Sequence, residues 1–161
     1  MRLGRGALIV AGAVAVVSSM SGCSVMYNGA LAVTKGADGA AMILVQTCDR
    51  TLDELTLYGN TSETTWVADP AAAESTLTTV PVTGSQSPWT LTSDAPELGP
   101  RGRYSLDAVG RGNVLNGMVR AWSVYFTAAD VDRLEPGQVI AGVEGKTMTL
   151  EAFQESACRK G

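Results

Sequence analysis

The chain has 161 residues, 45% of them hydrophobic, a formal net charge of −4 and no histidine. That length supports one domain with a core of its own, independent of a metal or a dense disulfide net. The acidic balance lacks the basic stripe of a nucleic-acid binder, and the missing histidine removes His-based triads, His acid–base chemistry and the commonest transition-metal ligand.

Residues 1–22 have the three-part layout of a secretory signal. Arg2 and Arg5 make a positive start, Ala7 to Val17 is uncharged and rich in Ala and Val, and Ser18, Ser19, Ser21 and Gly22 form a small polar exit. The apolar run is shorter than the roughly 20 residues of a transmembrane helix, and no later segment approaches that length. The exit reads Met20-Ser21-Gly22-Cys23. It resembles the lipobox of bacterial lipoproteins, in which a small residue precedes the cysteine that is lipidated. The resemblance implies cleavage before Cys23, a diacylglyceryl thioether on its sulfur and acylation of the new amine. Met20 stands where the family usually carries Leu. The alternative is an ordinary cleaved signal that leaves Cys23 a plain thiol. On the lipoprotein reading, residues 1–22 are signal, 23–28 are a lipid-anchored tether, and 29–161 are one β-rich extracytoplasmic domain at the cell membrane.

Cysteine parity bears on the same point. Three cysteines in an exported chain leave one odd thiol. With lipid on Cys23, Cys48 and Cys158 remain as an even pair, and an exported compartment permits their disulfide. Two buried free thiols are the alternative. Removal of residues 1–22 takes away Arg2 and Arg5 and leaves 10 basic residues against 16 acidic ones, a charge of −6. Such a domain gets no help from an anionic membrane surface, so lipid must hold it there. The excess of Arg over Lys, with abundant Ala, Gly, Val and Thr, resembles exported lipoproteins of high-GC Gram-positive bacteria.

Strand signals dominate the rest. Ala30 to Thr34 is β-capable and Asp38-Gly39 turns the chain. Ala40 to Cys48 contains the unbroken run Met42-Ile43-Leu44-Val45, which suits a strand buried on both faces. Leu52 to Tyr58 alternates, with Leu55 and Leu57 on one face, and Asn60-Thr61-Ser62 is the next turn. Thr64 to Ala68 surrounds Trp66. Ala71 to Glu74 has room for one helical turn. Pro81 places Thr76 to Val82 at a sheet edge or a strand end. Trp89 to Thr92 and Arg103 to Val109 are strands, and Gly110 to Asn113 turns the chain. Met118 to Thr127 alternates with Trp122, Val124 and Phe126 on an inward face. Thr127 and Asp130 have capping-box spacing ahead of a two-turn helix over 128–134. Gln138 to Val143 pairs with Lys146 to Thr149 across Glu144-Gly145. Leu150 to Cys158 is a closing helix with Leu150, Phe153 and Ala157 inward. The pattern predicts a mainly β domain, an antiparallel sandwich or barrel, with one or two short helices near the C-terminus. Immunoglobulin spacing is absent: Trp66 lies 18 residues after Cys48, and Ser156 stands where that fold's tyrosine would precede the second cysteine.

Catalytic motifs are scarce. None of the three lysines lies three residues after a serine, and no phosphate-binding glycine motif is present. Asp49, Asp53 and Glu54 form an acidic turn of the kind that could serve glycoside hydrolysis or bind Ca²⁺, with a solvated turn as the plain alternative. Asp130 and Asp132 begin like a calcium loop, but Leu134 takes the next ligand place. Trp89, beside Pro88 at the edge of a Ser-rich loop, is the candidate contact for a glycan or protein partner, whereas Trp66 and Trp122 read as core. The expectation is a non-catalytic, lipid-anchored binding domain of the envelope with no cofactor, no metal and no nucleic-acid partner. Its rivals are a carboxylate-dependent envelope hydrolase and a purely structural lipoprotein.

Overall fold

The computed structural model describes residues 26–69, 77–110 and 118–159. Residues 1–25, including the expected signal, the expected lipobox and Cys23, lie outside it, as do the expected helical turn at 71–74 and most of the expected turn after Gly110. The described residues are mainly β, in one nearly closed, barrel-like sheet with two short helices. In chain order the strands are β1 (Met26–Lys35), β2 (Ala41–Thr47), β3 (Glu54–Tyr58), β4 (Glu63–Ala68), β5 (Leu77–Pro81), β6 (Trp89–Leu91), β7 (Arg103–Gly110), β8 (Val119–Trp122), β9 (Val124–Thr127), β10 (Gln138–Ala141) and β11 (Lys146–Thr149). Helix α1 (Ala128–Asp132) follows β9, and α2 (Leu150–Ala157) closes the chain. β1 starts at Met26, so residues 26–28, which the sequence assigns to a tether, belong to the sheet.

β1 is the seam. One edge pairs with β2 from Gly29 to Lys35. The other edge runs parallel to β8 over Met26 to Ala30 and then antiparallel to β10 at Ala32 and Val33. Gly29 permits this double use. Its φ is +144°, and a Cβ there would stand 2.3 Å from the Gln46 carbonyl oxygen. From that second edge the sheet branches, through β8 to β7–β3–β4–β6 with β9 also on β7, and through β10 to β11, while β2–β5 extends the first edge. β5 pairs with β2 alone and ends on Pro81, in keeping with proline's missing N–H.

Alternation then sorts the side chains. Leu31, Val33, Ile43, Val45, Leu55, Leu57, Trp66, Leu106, Val124 and Phe126 fill the interior. Ala30, Ala32, Leu44, Val139 and Ala141 face the other way and are covered by Phe153 and Ala157 of α2. Both faces of β1 and β2 are therefore buried, which is why 42–45 is apolar without a break. The alanines of β1 and β10 leave room for the helix to lie close. A disulfide, Cys48–Cys158, joins the end of β2 to the end of α2 with a Cα–Cα distance of 5.7 Å, inside the 4.4–6.8 Å range of such bonds.

The segment 118–127 is not the single alternating strand that its sequence predicts. It is two strands with an extra residue between them. Val109 pairs with Arg120 and Leu106 with Val124, so residues 121, 122 and 123 oppose only 107 and 108. This one-residue bulge reverses the phase of everything before it. Val119 and Ala121 point inward with Val124 and Phe126, and Trp122, expected inside, is half exposed. Ser123 Oγ donates to Asp107 Oδ1 across the bulge and pins it.

Candidate binding face

The tryptophan expected to be exposed is buried. Trp89 is 3% exposed and sits in β6 opposite Ala68. Gln86 and Trp89 exchange backbone hydrogen bonds at 3.0 and 2.8 Å, a tight reversal that folds Trp89 back onto β4. Its indole N–H then donates to Thr78 Oγ1 at 3.1 Å. Trp66 is buried as expected and donates to the Gly84 carbonyl at 2.8 Å. Both indoles are thus satisfied core residues.

The exposed aromatic surface lies at the seam instead. Tyr27 of β1 and Trp122 of β8 stack with ring centroids 3.9 Å apart and planes 6° from parallel. Both stay half exposed, at 51% and 50%, with Met118 at 51% beside them. The Met26 amide donates to the Met118 carbonyl and holds the two segments together. Trp122 is also one wall of an apolar groove of about 440 Å³. Ala30, Ala141, Met148, Phe153 and Ala157 make its floor, and Val143, Glu144 and Lys146 lie along the β10–β11 side.

The turn Gly142–Gly145 forms a ridge. Val143 and Glu144 line this groove and also a second one of about 350 Å³, beside Tyr125, Arg103 and Asp130. The ridge is held against β9, because the Tyr125 amide donates to the Gly142 carbonyl at 3.4 Å. A Cβ on Gly145, whose φ is +60°, would stand 2.6 Å from the Tyr125 carbonyl oxygen. The Glu144–Lys146 ion pair on the ridge lowers the Glu144 pKa and raises that of Lys146, chiefly through the hydrogen bond between them. Asp130 is also held below the usual carboxylate value, first by the hydrogen bond from Thr127 Oγ1 and further by the Thr127 amide and Arg133. It completes the capping box of α1.

The acidic residues near the first turn separate. Asp49 donates its amide to Asn28 Oδ1 at 3.0 Å, and Asn28 in turn donates to the Arg50 carbonyl, so the loop after Cys48 is tied to β1. Asp53 donates its amide to the Val109 carbonyl. Glu54 sits on β3 and shares a small polar cleft with Asp107, Arg120 and Tyr58. That cleft is about 90 Å³, room for roughly three waters, whereas ligand sites span about 300–1,000 Å³. Among the described residues no group of three or more His, Cys, Asp or Glu is arranged to hold a metal ion. Nor is any helix among them long and apolar enough to cross a membrane.

The class that fold and surface define is a disulfide-closed, barrel-like β domain with an aromatic seam and an apolar groove beside it. No protein-family model, curated protein or solved structure matches the chain.

Proposed function

We propose that this is a lipid-anchored, extracytoplasmic domain of the bacterial cell envelope that binds a partner rather than catalysing a reaction. The observation that carries the binding reading is the groove of about 440 Å³ between the β10–β11 ridge and α2, which falls in the size range of ligand sites. Its apolar floor suits an apolar segment of an envelope protein or the hydrophobic part of an envelope glycan conjugate, and Glu144 and Lys146 at the rim offer polar contacts. The anchor reading rests on Met20-Ser21-Gly22-Cys23 after the apolar run, and it places the protein on the outer face of the cell membrane. The Cys48–Cys158 bond supports it, since structural disulfides persist in exported compartments and this one leaves Cys23 as the odd thiol.

The test is photo-crosslinking in the native membrane from a probe at Met148, on the groove floor, and from a control probe at Val67, an exposed position on β4. A product specific to Met148, identified by mass spectrometry, is expected. Equal capture from both positions would remove the groove from the binding role.

A further inference from the structure

We propose that the Tyr27–Trp122 face is a membrane-contact surface, seated in the headgroup interface of the bilayer that holds the lipid of Cys23. The proposal rests on the anchor reading and adds the orientation of the domain. Tyr27 is four residues from Cys23, so even a fully extended chain separates their Cα atoms by at most about 14 Å. If Cys23 enters the bilayer through its lipid, the Cα of Tyr27 lies within about that distance of the headgroups, so the strand carrying the stack starts next to the bilayer. A separate protein domain does not fit in so thin a gap, which argues against a partner covering this end of β1.

The chemistry agrees. Among the described residues the exposed large apolar side chains include Tyr27, Met118, Trp122, Tyr125 and Val143. These five are linked: Tyr27 stacks on Trp122, Trp122 and Val143 share one groove, Val143 and Tyr125 share the other, and Met118 runs beside Met26. Tyr and Trp rings with polar tips concentrate at membrane–water interfaces. Arg120, opposite Tyr27 in the β1–β8 pairing, can lay its aliphatic stem along that surface and keep its charge in the headgroup layer. A domain of charge −6 gains no attraction from anionic lipid, so aromatic insertion is the physical means by which it can lie flat. The grooves on either side of the Gly142–Gly145 ridge would then open beside the bilayer surface.

The experiment uses full-length protein matured and purified from its own membranes, reconstituted in phosphatidylcholine vesicles carrying acyl chains brominated near the headgroup. Trp66 and Trp89 are interior, so Trp122 is the emitter open to a quencher. Mass spectrometry on the same sample reads the lipid on Cys23. The expected result is lipid on Cys23, loss of the Trp122 part of the emission in brominated vesicles, and no such loss in Trp122→Phe. With lipid present on Cys23, quenching by aqueous acrylamide but not by brominated lipid would overturn the membrane face and leave the anchor standing. Protection from both quenchers would also overturn it and would mean that a second copy or a partner covers the stack. Absence of lipid on Cys23 would refute the anchor reading, and this inference with it.

Discussion

Two tryptophans exchange the places that their local sequence predicts, and the reasons differ. Trp89 follows a Ser/Pro-rich stretch that looks like an exposed loop, yet the Gln86–Trp89 reversal turns it onto the sheet. Trp122 sits in a segment whose alternation can be read in two phases. The structure decides between them: the inward residues Val119, Ala121, Val124 and Phe126 contain one interval of three, between 121 and 124, where the one-residue bulge lies. The two positions should respond unlike each other. Trp89→Ala empties a buried site and also orphans Thr78 Oγ1, so a loss of roughly 3–5 kcal/mol is expected in urea unfolding. Trp122→Ala removes an exposed stack and should cost roughly 0.5–1.5 kcal/mol. Equal losses would contradict the assignment of inside and outside. Gly29→Ala should be harmful despite its small size, because the new methyl meets the Gln46 carbonyl. A destabilisation of about 1–3 kcal/mol is expected from the strained backbone alone, read as a lower denaturation midpoint with an unchanged m-value.

At the level of elements, legibility followed periodicity and caps. The two helices were readable because Thr127 with Asp130 satisfies the N-terminal N–H groups of α1, and Phe153 and Ala157 repeat at helical spacing in α2. The β10–β11 hairpin was readable from its turn. The start of β1 was not, since Met26-Tyr27-Asn28 has no apolar alternation and is held by pairing with β8, which lies nearly 100 residues downstream in sequence. The cap of α1 carries a pH dependence. The Asp130 pKa is lowered on folding, so its contribution is present above the unfolded value near 3.8 and is lost as pH falls through the lower folded value. Asp130→Asn should therefore flatten the acid limb of a pH–stability curve below about pH 4, while Thr127→Ala should cost roughly 0.5–2 kcal/mol at neutral pH. The disulfide acts on α2. With its cysteines 110 positions apart in sequence, chain entropy assigns it at most about 4–5 kcal/mol. Hydrogen exchange on reduced protein should show residues 150–159 losing protection first, because this bond and the packing of Phe153 and Ala157 hold the chain end on the sheet. Uniform loss across β7 and β9 at the same rate would argue against that order.

For the whole molecule, what the sequence disclosed well was what depends on composition and repeat: a mainly β domain, short helices near the C-terminus, and a pair of cysteines brought together. What it disclosed poorly was the surface, because exposure at the seam depends on a single inserted residue and on a contact between β1 and β8. Among the described residues the core is built from side chains between Ala30 and Ala157. On the proposed reading, anchoring and folding are then separable. Each acyl methylene buried in the bilayer contributes about 0.8 kcal/mol to attachment, and one chain alone gives only marginal binding, so a lipidated Cys23 with two or more chains would dominate retention of a domain whose net charge is −6. The aromatic face adds orientation at a much smaller gain. Cys23→Ala should abolish palmitate labelling and move the protein from the membrane fraction to the medium or the soluble fraction. The melting temperature of the β domain and its Cys48–Cys158 bond should be unchanged. Continued labelling of Cys23→Ala would place the lipid elsewhere. A labelled wild type whose unlabelled variant misfolds would mean that the segment before β1 takes part in the fold, and that anchoring and folding are coupled.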